Sequence, residues 1–309
     1  MSQRDKTLIL LLEPSASSYY IVGKTINYLK KIDKNKRFII VGDKKQFKSE
    51  FKKFLYEIKY INEKIPEKKI GIYQVKFKTK KQHFQKVFDV ALSNLKNGKV
   101  KNFINLPIDK KILPKKFVGF TEFYSNKIGK KDTETMLLYS KKFSVSPITT
   151  HVEIRKVSNL ITKRKIINNV NNIKLFYKKY LNKNVNVLIT GLNPHSGKDM
   201  GNRTIESKII IPAIRLLKKK HTNVFGPYSA DSIFNYVKDT KKPFCIVGMY
   251  HDQVLPIFKT INKFDGVNLT IGLKYLRGSP DHGTAPNIKN FNKLKNDSLK
   301  YCIKFFYEN

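Results

Sequence analysis

Three of the six histidines stand directly behind apolar runs. His151 follows Val145-Ser-Pro-Ile-Thr-Thr, His195 follows Val187-Leu-Ile-Thr-Gly-Leu-Asn-Pro, and His251 follows Phe244-Cys-Ile-Val-Gly-Met-Tyr. Neutral imidazole is a common metal ligand, and three such groups leave coordination positions open for substrate oxygens. A divalent ion held that way polarises an alcohol and then an adjacent carbonyl. Intervals of 44 and 56 residues separate the three, too long for a local metal motif, so their convergence depends on the fold. For each histidine taken alone, the alternative is a hydrogen-bonded structural or loop residue.

Two further segments carry polar chemistry. Phe264-Asp-Gly-Val-Asn268-Leu-Thr-Ile-Gly272, preceded by Lys259 and followed by Arg277, brings together an amide and two cations that suit the phosphate and carboxylate of one small substrate. Arg277 is the more telling cation, as one of only seven arginines. The second segment is Ser279-Pro-Asp281-His282-Gly283-Thr284-Ala285-Pro286, where small and turn-forming residues let backbone amides approach a nucleotide. Its alternative is a plain connector. His83 and His221 lie in helix-like or Lys-rich surroundings and read as surface residues.

These residues must be positioned by alternating strands and helices. Apolar runs predict strands at 8–12, 38–41, 70–75, 102–104, 136–139, 145–149, 185–190, 244–248 and 267–273. Amphipathic stretches predict helices at 19–31, 84–96, 166–180, 205–219 and 297–307. Such alternation, with β-branched and nearly continuous apolar strands, predicts an α/β fold with a mostly parallel sheet covered on both faces. In such sheets, ligand sites lie beyond the carboxyl ends of the strands, where all three histidines stand.

Composition narrows the function class. The formal charge is +39, from 62 Lys and Arg against 23 Asp and Glu. Lys supplies almost all of the positive charge and is spread along the whole chain, without a basic tail, zinc-finger spacing or stacking-aromatic motif. No dedicated nucleic-acid function is expected, since phosphate-gripping interfaces favour Arg forks. No run of eighteen apolar residues occurs, and the start carries charges where a signal peptide needs an apolar stretch, so a cytoplasmic protein without a membrane span is expected. Cys245 and Cys302 sit in apolar settings and read as buried thiols. Neither Gly-x-Gly-x-x-Gly after an early strand, nor a Walker loop, nor Gly-x-Ser-x-Gly is present.

Taken in order, Thr149-Thr-His151-Val-Glu-Ile-Arg155, Gly191-Leu-Asn-Pro-His195-Ser-Gly197, Phe225-Gly-Pro-Tyr-Ser-Ala-Asp231, Met249-Tyr-His251-Asp-Gln253, Gly266 to Leu273, and Arg277 to Ala285 resemble the 4-hydroxythreonine-4-phosphate dehydrogenase family of vitamin B6 synthesis. The resemblance implies a two-domain fold like that of isocitrate and isopropylmalate dehydrogenases, with an inter-domain cleft. Residues 1–115 plus 275–309 would form the nucleotide-binding domain, and 116–274 the metal, substrate and dimerisation domain. It implies that His151, His195 and His251 bind one divalent ion (Zn, Mg or Co), His251 reaching across a homodimer interface. Thr121, Lys259, Asn268 and Arg277 would hold a phosphorylated hydroxy acid. Asp281, His282, Gly283, Thr284 and Ala285 would contact NAD or NADP. Lys110, Asp231 and Asp252 are candidates for proton transfer or for orienting the histidines, with a helix cap as the alternative for Asp252. The implied reaction is oxidation of the C3 hydroxyl of 4-phosphohydroxy-L-threonine, then decarboxylation to 3-amino-2-oxopropyl phosphate. Departures from the family pattern are Phe120 in place of a His before Thr121, a first turn that keeps only Glu13-Pro14 of its glycine-rich sequence, and Lys198 in place of an acidic residue. They leave two competing readings: a same-family dehydrogenase of threonate or erythronate 4-phosphate, and a non-catalytic metal-binding homologue.

Overall fold

The computed structural model describes residues 7–32, 35–60, 63, 70–115, 117, 119–128, 133–237, 242–281, 283 and 290–309. The chain divides into two compact units: Met1–Phe120 with Phe264–Val267 and Tyr275–Asn309, and Thr121–Lys263 with Asn268–Lys274. The first unit begins with β1 (Thr7–Leu11), α1 (Ala16–Lys31), β2 (Arg37–Gly42), α2 (Ser49–Lys52), β3 (Leu55–Ile58), β4 (Ile70–Gln74), α3 (Lys80–Lys96) and β5 (Asn102–Asn105). Helix α4 (Phe120–Lys127) leads into β6 (Thr135–Tyr139), β7 (Ser144–Thr149), α5 (Val157–Leu160), α6 (Lys163–Leu181) and β8 (Asn186–Thr190). Then come α7 (Ile211–Lys218), β9 (Val224–Tyr228), β10 (Phe244–Tyr250), α8 (His251–Asn262) and β11 (Val267–Ile271). The chain returns through β12 (Leu276–Pro280) and α9 (Asp297–Glu308).

Strand order in the first unit is β3-β4-β2-β1-β5-β12, joined by parallel ladders. In the second unit it is β11-β6-β7-β10-β8-β9; β7, β10, β8 and β9 are parallel, and β6 runs antiparallel to β7. The protein is thus α/β with mostly parallel strands. Its central strands are buried along their length, as in Leu8–Leu12 and Phe244–Val247, because helices cover both faces. The second unit's core gathers Leu138, Phe143, Val145, Ile246, Val254 and Phe258 around β7 and β10. Among the described residues no helix is long and apolar enough to cross a membrane.

Local chemistry sets the helix ends. The hydroxyls of Ser15, Thr79 and Thr162 accept backbone N–H bonds at the starts of α1, α3 and α6, and Asn182 closes α6 in the left-handed conformation. Helix α8 contains Pro256, which has no N–H to give the carbonyl of Asp252. The expected helix 205–219 starts as a π-helical turn over Glu206–Ile210 before α7. The expected strand 267–273 stops at Ile271, because Gly272 turns the chain at φ 80°.

One expectation is corrected. His83 is not a surface residue: it is fully buried in α3, its Nε2 lies 3.1 Å from the Tyr19 hydroxyl, and Phe77 meets its ring edge-on. The Tyr19 hydroxyl in turn accepts from the N–H of Asp43. Burial drives the His83 pKa down to about 4, against the opposing pull of Asp43. The unfolded chain therefore takes up a proton near the ordinary histidine pKa of about 6.5, while the folded chain does so only near 4. Stability held above pH 6.5 is expected to fall progressively as pH drops toward 4. Thermal midpoints measured across that window should fall more steeply for the wild type than for His83→Phe; equal slopes would refute the assignment.

Candidate active site

In the second unit, β7 and β10 are parallel neighbours with Thr149 opposite Tyr250, and the Thr149 hydroxyl donates to the Met249 carbonyl. Just past this matched pair the rings of His151 and His251 come to 5.7 Å between centroids. Metal–nitrogen bonds of about 2.1 Å allow one ion to take a nitrogen from each ring at that spacing. Asp252 Oδ1 lies 2.5 Å from His251 Nδ1, which orients the ring and leaves Nε2 as the nitrogen that could meet a metal ion. Asp252 occupies the first turn of α8, whose N-cap is Tyr250, so the cap alternative for Asp252 does not hold. Among the described residues no three His, Cys, Asp or Glu side chains gather as a complete metal cluster within one chain.

His195 lies in the same unit, in the loop after β8. His195, Ser196 and Gly197 are consecutively left-handed, at φ 51°, 57° and 67°. For non-glycine residues this conformation carries a steric penalty that the surroundings must offset. Glu206, 1 % exposed, supplies the restraint. Its carboxylate accepts from the N–H groups of Leu192 and Asn193 at 2.8 Å each and from the Asn193 side-chain amide at 2.9 Å. Burial pushes the Glu206 pKa up, but the bonds from Asn193 and Leu192 outweigh it and hold the carboxyl below its usual value. A Cβ on Gly197 would sit 2.9 Å from Glu206 Oε2, so the loop closes against the carboxylate only with glycine there. Gln253 couples the loops of His195 and His251: its Oε1 accepts from Met249 N–H and the Thr190 hydroxyl, and its Nε2 donates to the Gly191 carbonyl.

Other expected ligands of this unit flank β11 and α4. Thr121 Oγ1 is 3.5 Å from Thr270 Oγ1. The Thr150 hydroxyl, one residue before His151, donates to Glu122 Oε1 at 3.2 Å. Glu122 Oε2, Asn268 Oδ1 and Ser196 Oγ are buried without a hydrogen-bond partner among the described residues. Buried acceptors left unsatisfied are costly, and donor groups of a small polar ligand would relieve that cost. Lys259 on α8 and Asp231 in the turn after β9 are both exposed.

The first unit holds Arg277, second residue of β12 and 4 % exposed. Its Nε donates to Asn105 Oδ1 at 2.5 Å, and its guanidinium lies 4.8 Å from the centroid of the Phe120 ring. Phe120 is wedged edge-on against Phe84 and Phe88. The Phe120 ring therefore gives the guanidinium a cation–π platform and itself carries no hydrogen-bonding group. Glu13, 4 % exposed at the end of β1, accepts from Ser18 Oγ; burial raises its pKa against the lowering bonds of Ser15 and Ser18. Lys110 stands exposed in a 3₁₀ turn after β5. In the expected nucleotide loop, the Asp281 N–H donates to Ser298 Oγ and Gly283 is exposed; His282, Thr284 and Ala285 lie outside the described residues.

Glu206, Gln253, Glu122 and Asn105 are the positions that sequence reasoning passed over. A usable signal existed for two of them. Glu206 is a scarce acid in a Lys-rich chain, shortly after the His195 loop, and Gln253 lies two residues beyond His251.

The profile of a family described as pyridoxal phosphate biosynthetic protein PdxA matches residues 33–306. The 4-hydroxythreonine-4-phosphate dehydrogenase of Sulfurihydrogenibium sp. (strain YO3AOP1) is 33% identical over 303 residues, covering 92% of this chain and 91% of that protein. The enzyme of the same name from Aquifex aeolicus (strain VF5) is 35% identical over 222 residues, covering 69% of this chain and 67% of its own. Among solved structures, that of a putative 4-hydroxythreonine-4-phosphate dehydrogenase from Salmonella typhimurium is similar with a TM-score of 0.80. Its sequence identity is 22%, and the match covers 97% of this chain and 98% of the other. At that identity the structural likeness speaks for the fold.

Proposed function

Because the chain belongs to the pyridoxal phosphate biosynthetic protein PdxA family and is an oxidoreductase, we propose that it converts 4-phosphohydroxy-L-threonine into 3-amino-2-oxopropyl phosphate. The hydride on C3 would pass to NAD (or NADP), the C3 hydroxyl would give up its proton, and the resulting 3-oxo acid would release carbon dioxide and take up a proton at C2. The observation that carries this reading is the approach of His151 and His251 at the ends of two adjacent parallel strands.

His151, His251 and His195 would hold a divalent cation, which when bound would supply Lewis acidity toward the C3 oxygen. A homodimer is part of the proposal, since it would complete a coordination sphere that one chain leaves unfinished. Asp252 keeps the His251 ring in one orientation through Nδ1. Thr121 and Asn268 offer a hydroxyl and a buried amide oxygen to the substrate's polar groups, while Arg277 and Lys259 offer positive charge to its phosphate and carboxylate. Lys110 and Asp231 are the candidates for proton transfer, and residues 281–285 for contact with the nucleotide. We place the enzyme in the cytoplasm.

Phe120 favours a second reading. With no hydrogen-bonding group there, the site has lost a contact that discriminates between polar substituents, and threonate or erythronate 4-phosphate becomes an alternative substrate. Purified protein given NAD and Mg, Zn or Co should form NADH and release carbon dioxide with 4-phosphohydroxy-L-threonine. Faster turnover of threonate or erythronate 4-phosphate, in which a hydroxyl replaces the C2 amine, would transfer the assignment to that compound. Tight metal binding without turnover of any of the three would leave a non-catalytic homologue.

A further inference from the structure

At the opposite edge of the second unit's sheet lies a hollow of about 1010 Å³. It opens beside Asn186 at the start of β8, Asn223 just before β9 and Lys242 just before β10, the amino ends of strands whose carboxyl ends lead to His195 and His251. Lys174, Lys178, Lys220 and Lys242 line it together with His221, and no carboxylate is present among its described lining residues. Lys174 is half-buried on α6, and its ammonium donates to the side-chain oxygen of Asn223 and to the Val185 carbonyl, both neutral. Burial lowers its pKa to about 8, and burial together with Lys174 and Lys220 lowers that of His221.

We propose that this hollow is a second binding site, distinct from the histidine end, for a small anion carrying two or more phosphate-type charges. Four ammonium groups around one concavity repel one another, and an oxyanion bound among them adds attractions that offset those repulsions. The surrounding amides of Asn171, Asn184 and Asn186 add donors suited to several oxygens at once. No Phe, Tyr or Trp is among the described lining residues and His221 is the one ring there, which favours an oligophosphate or phosphorylated small molecule over a nucleotide.

Diffuse attraction by the whole +39 chain is the competing explanation, and it makes a different forecast. Removing one lysine barely changes the global field but removes a large part of a local site. Isothermal titration of the full chain with inorganic pyrophosphate should give a saturable one-to-one isotherm, unchanged in His195→Ala. Affinity should fall about tenfold or more in Lys174→Met, as in Lys178→Met should the first variant fail to fold, and stay the same in Lys300→Met on the other unit. Pyrophosphate should also slow acetylation of Lys174, read by mass spectrometry, without slowing that of Lys300. Non-saturable heats, or equal affinity in the Lys174, Lys178 and Lys300 variants, would overturn the proposal.

Discussion

His151→Ala is expected to lower kcat/KM by about 10³-fold, a loss of about 4 kcal/mol in transition-state stabilisation. Little of this should come from unfolding. His151 is exposed beyond the end of β7 and packs no core, so stability should change by no more than about 0.5 kcal/mol. What disappears is one of the two imidazoles whose rings stand 5.7 Å apart. Metal affinity should drop with activity, and His251→Ala should reproduce both effects. The combined measurements are steady-state rates with 4-phosphohydroxy-L-threonine, calorimetric titration with the divalent ion, and a thermal melt. A His151→Ala protein that melts normally and keeps turnover within tenfold of wild type would remove the two rings from the chemistry.

The second large effect is expected at Glu206, which touches no candidate ligand group directly. Glu206→Ala strips the N–H groups of Leu192 and Asn193 of their acceptor inside the fold. Unsatisfied buried donors cost about 1–3 kcal/mol each, so destabilisation of about 3 kcal/mol is expected. Activity should fall by about 10²-fold in the fraction that remains folded, because the left-handed His195–Gly197 segment then relaxes toward ordinary backbone angles and carries the imidazole away. Glu206→Gln keeps a carbonyl oxygen for the two N–H bonds and should recover most of the stability, with kcat improving more than KM. Because the native carboxyl titrates below its usual value, its contribution exists above the unfolded pKa and is lost on acidification. Substituted enzymes with wild-type kcat would show that the loop holds its shape without this carboxylate.

The contrast between these two sites explains how far the sequence could be read. Strands β8 and β10 are largely apolar runs, and β7, though interrupted by Ser146 and Pro147, keeps Val145, Ile148 and Thr149, so the loops that follow them, and with them the three histidines, stand out. Strand β12 does not: Leu276-Arg-Gly-Ser-Pro280 mixes a charge, a glycine and a proline, yet all five residues are buried. Its identity as a strand comes from pairing with β5, a partner far away in sequence. Helix α8 hides for a related reason, since it opens on His-Asp-Gln and contains Pro256, and local preference argues for a loop. His83 sits in Lys80-Lys-Gln-His-Phe-Gln85, a polar surrounding that hides its contact with Tyr19, 64 residues away. Glu206 is hidden in the same way, because its value lies in donors contributed by residues 192 and 193. Local pattern therefore reveals which strands lead into the candidate site, whereas the groups that brace it are visible only once distant segments are brought together.

Proline at position 256 has a mechanical consequence. The carbonyl of Asp252 receives no hydrogen bond from the next turn of α8, so the leading residues of this helix are fastened to its body by one link fewer than a regular helix provides. The segment so loosened bears His251 at its tip, with Gln253 clamping it to the neighbouring strand ends. Gln253 offsets that missing link, because its side-chain amide ties the start of the helix to Met249, Thr190 and Gly191.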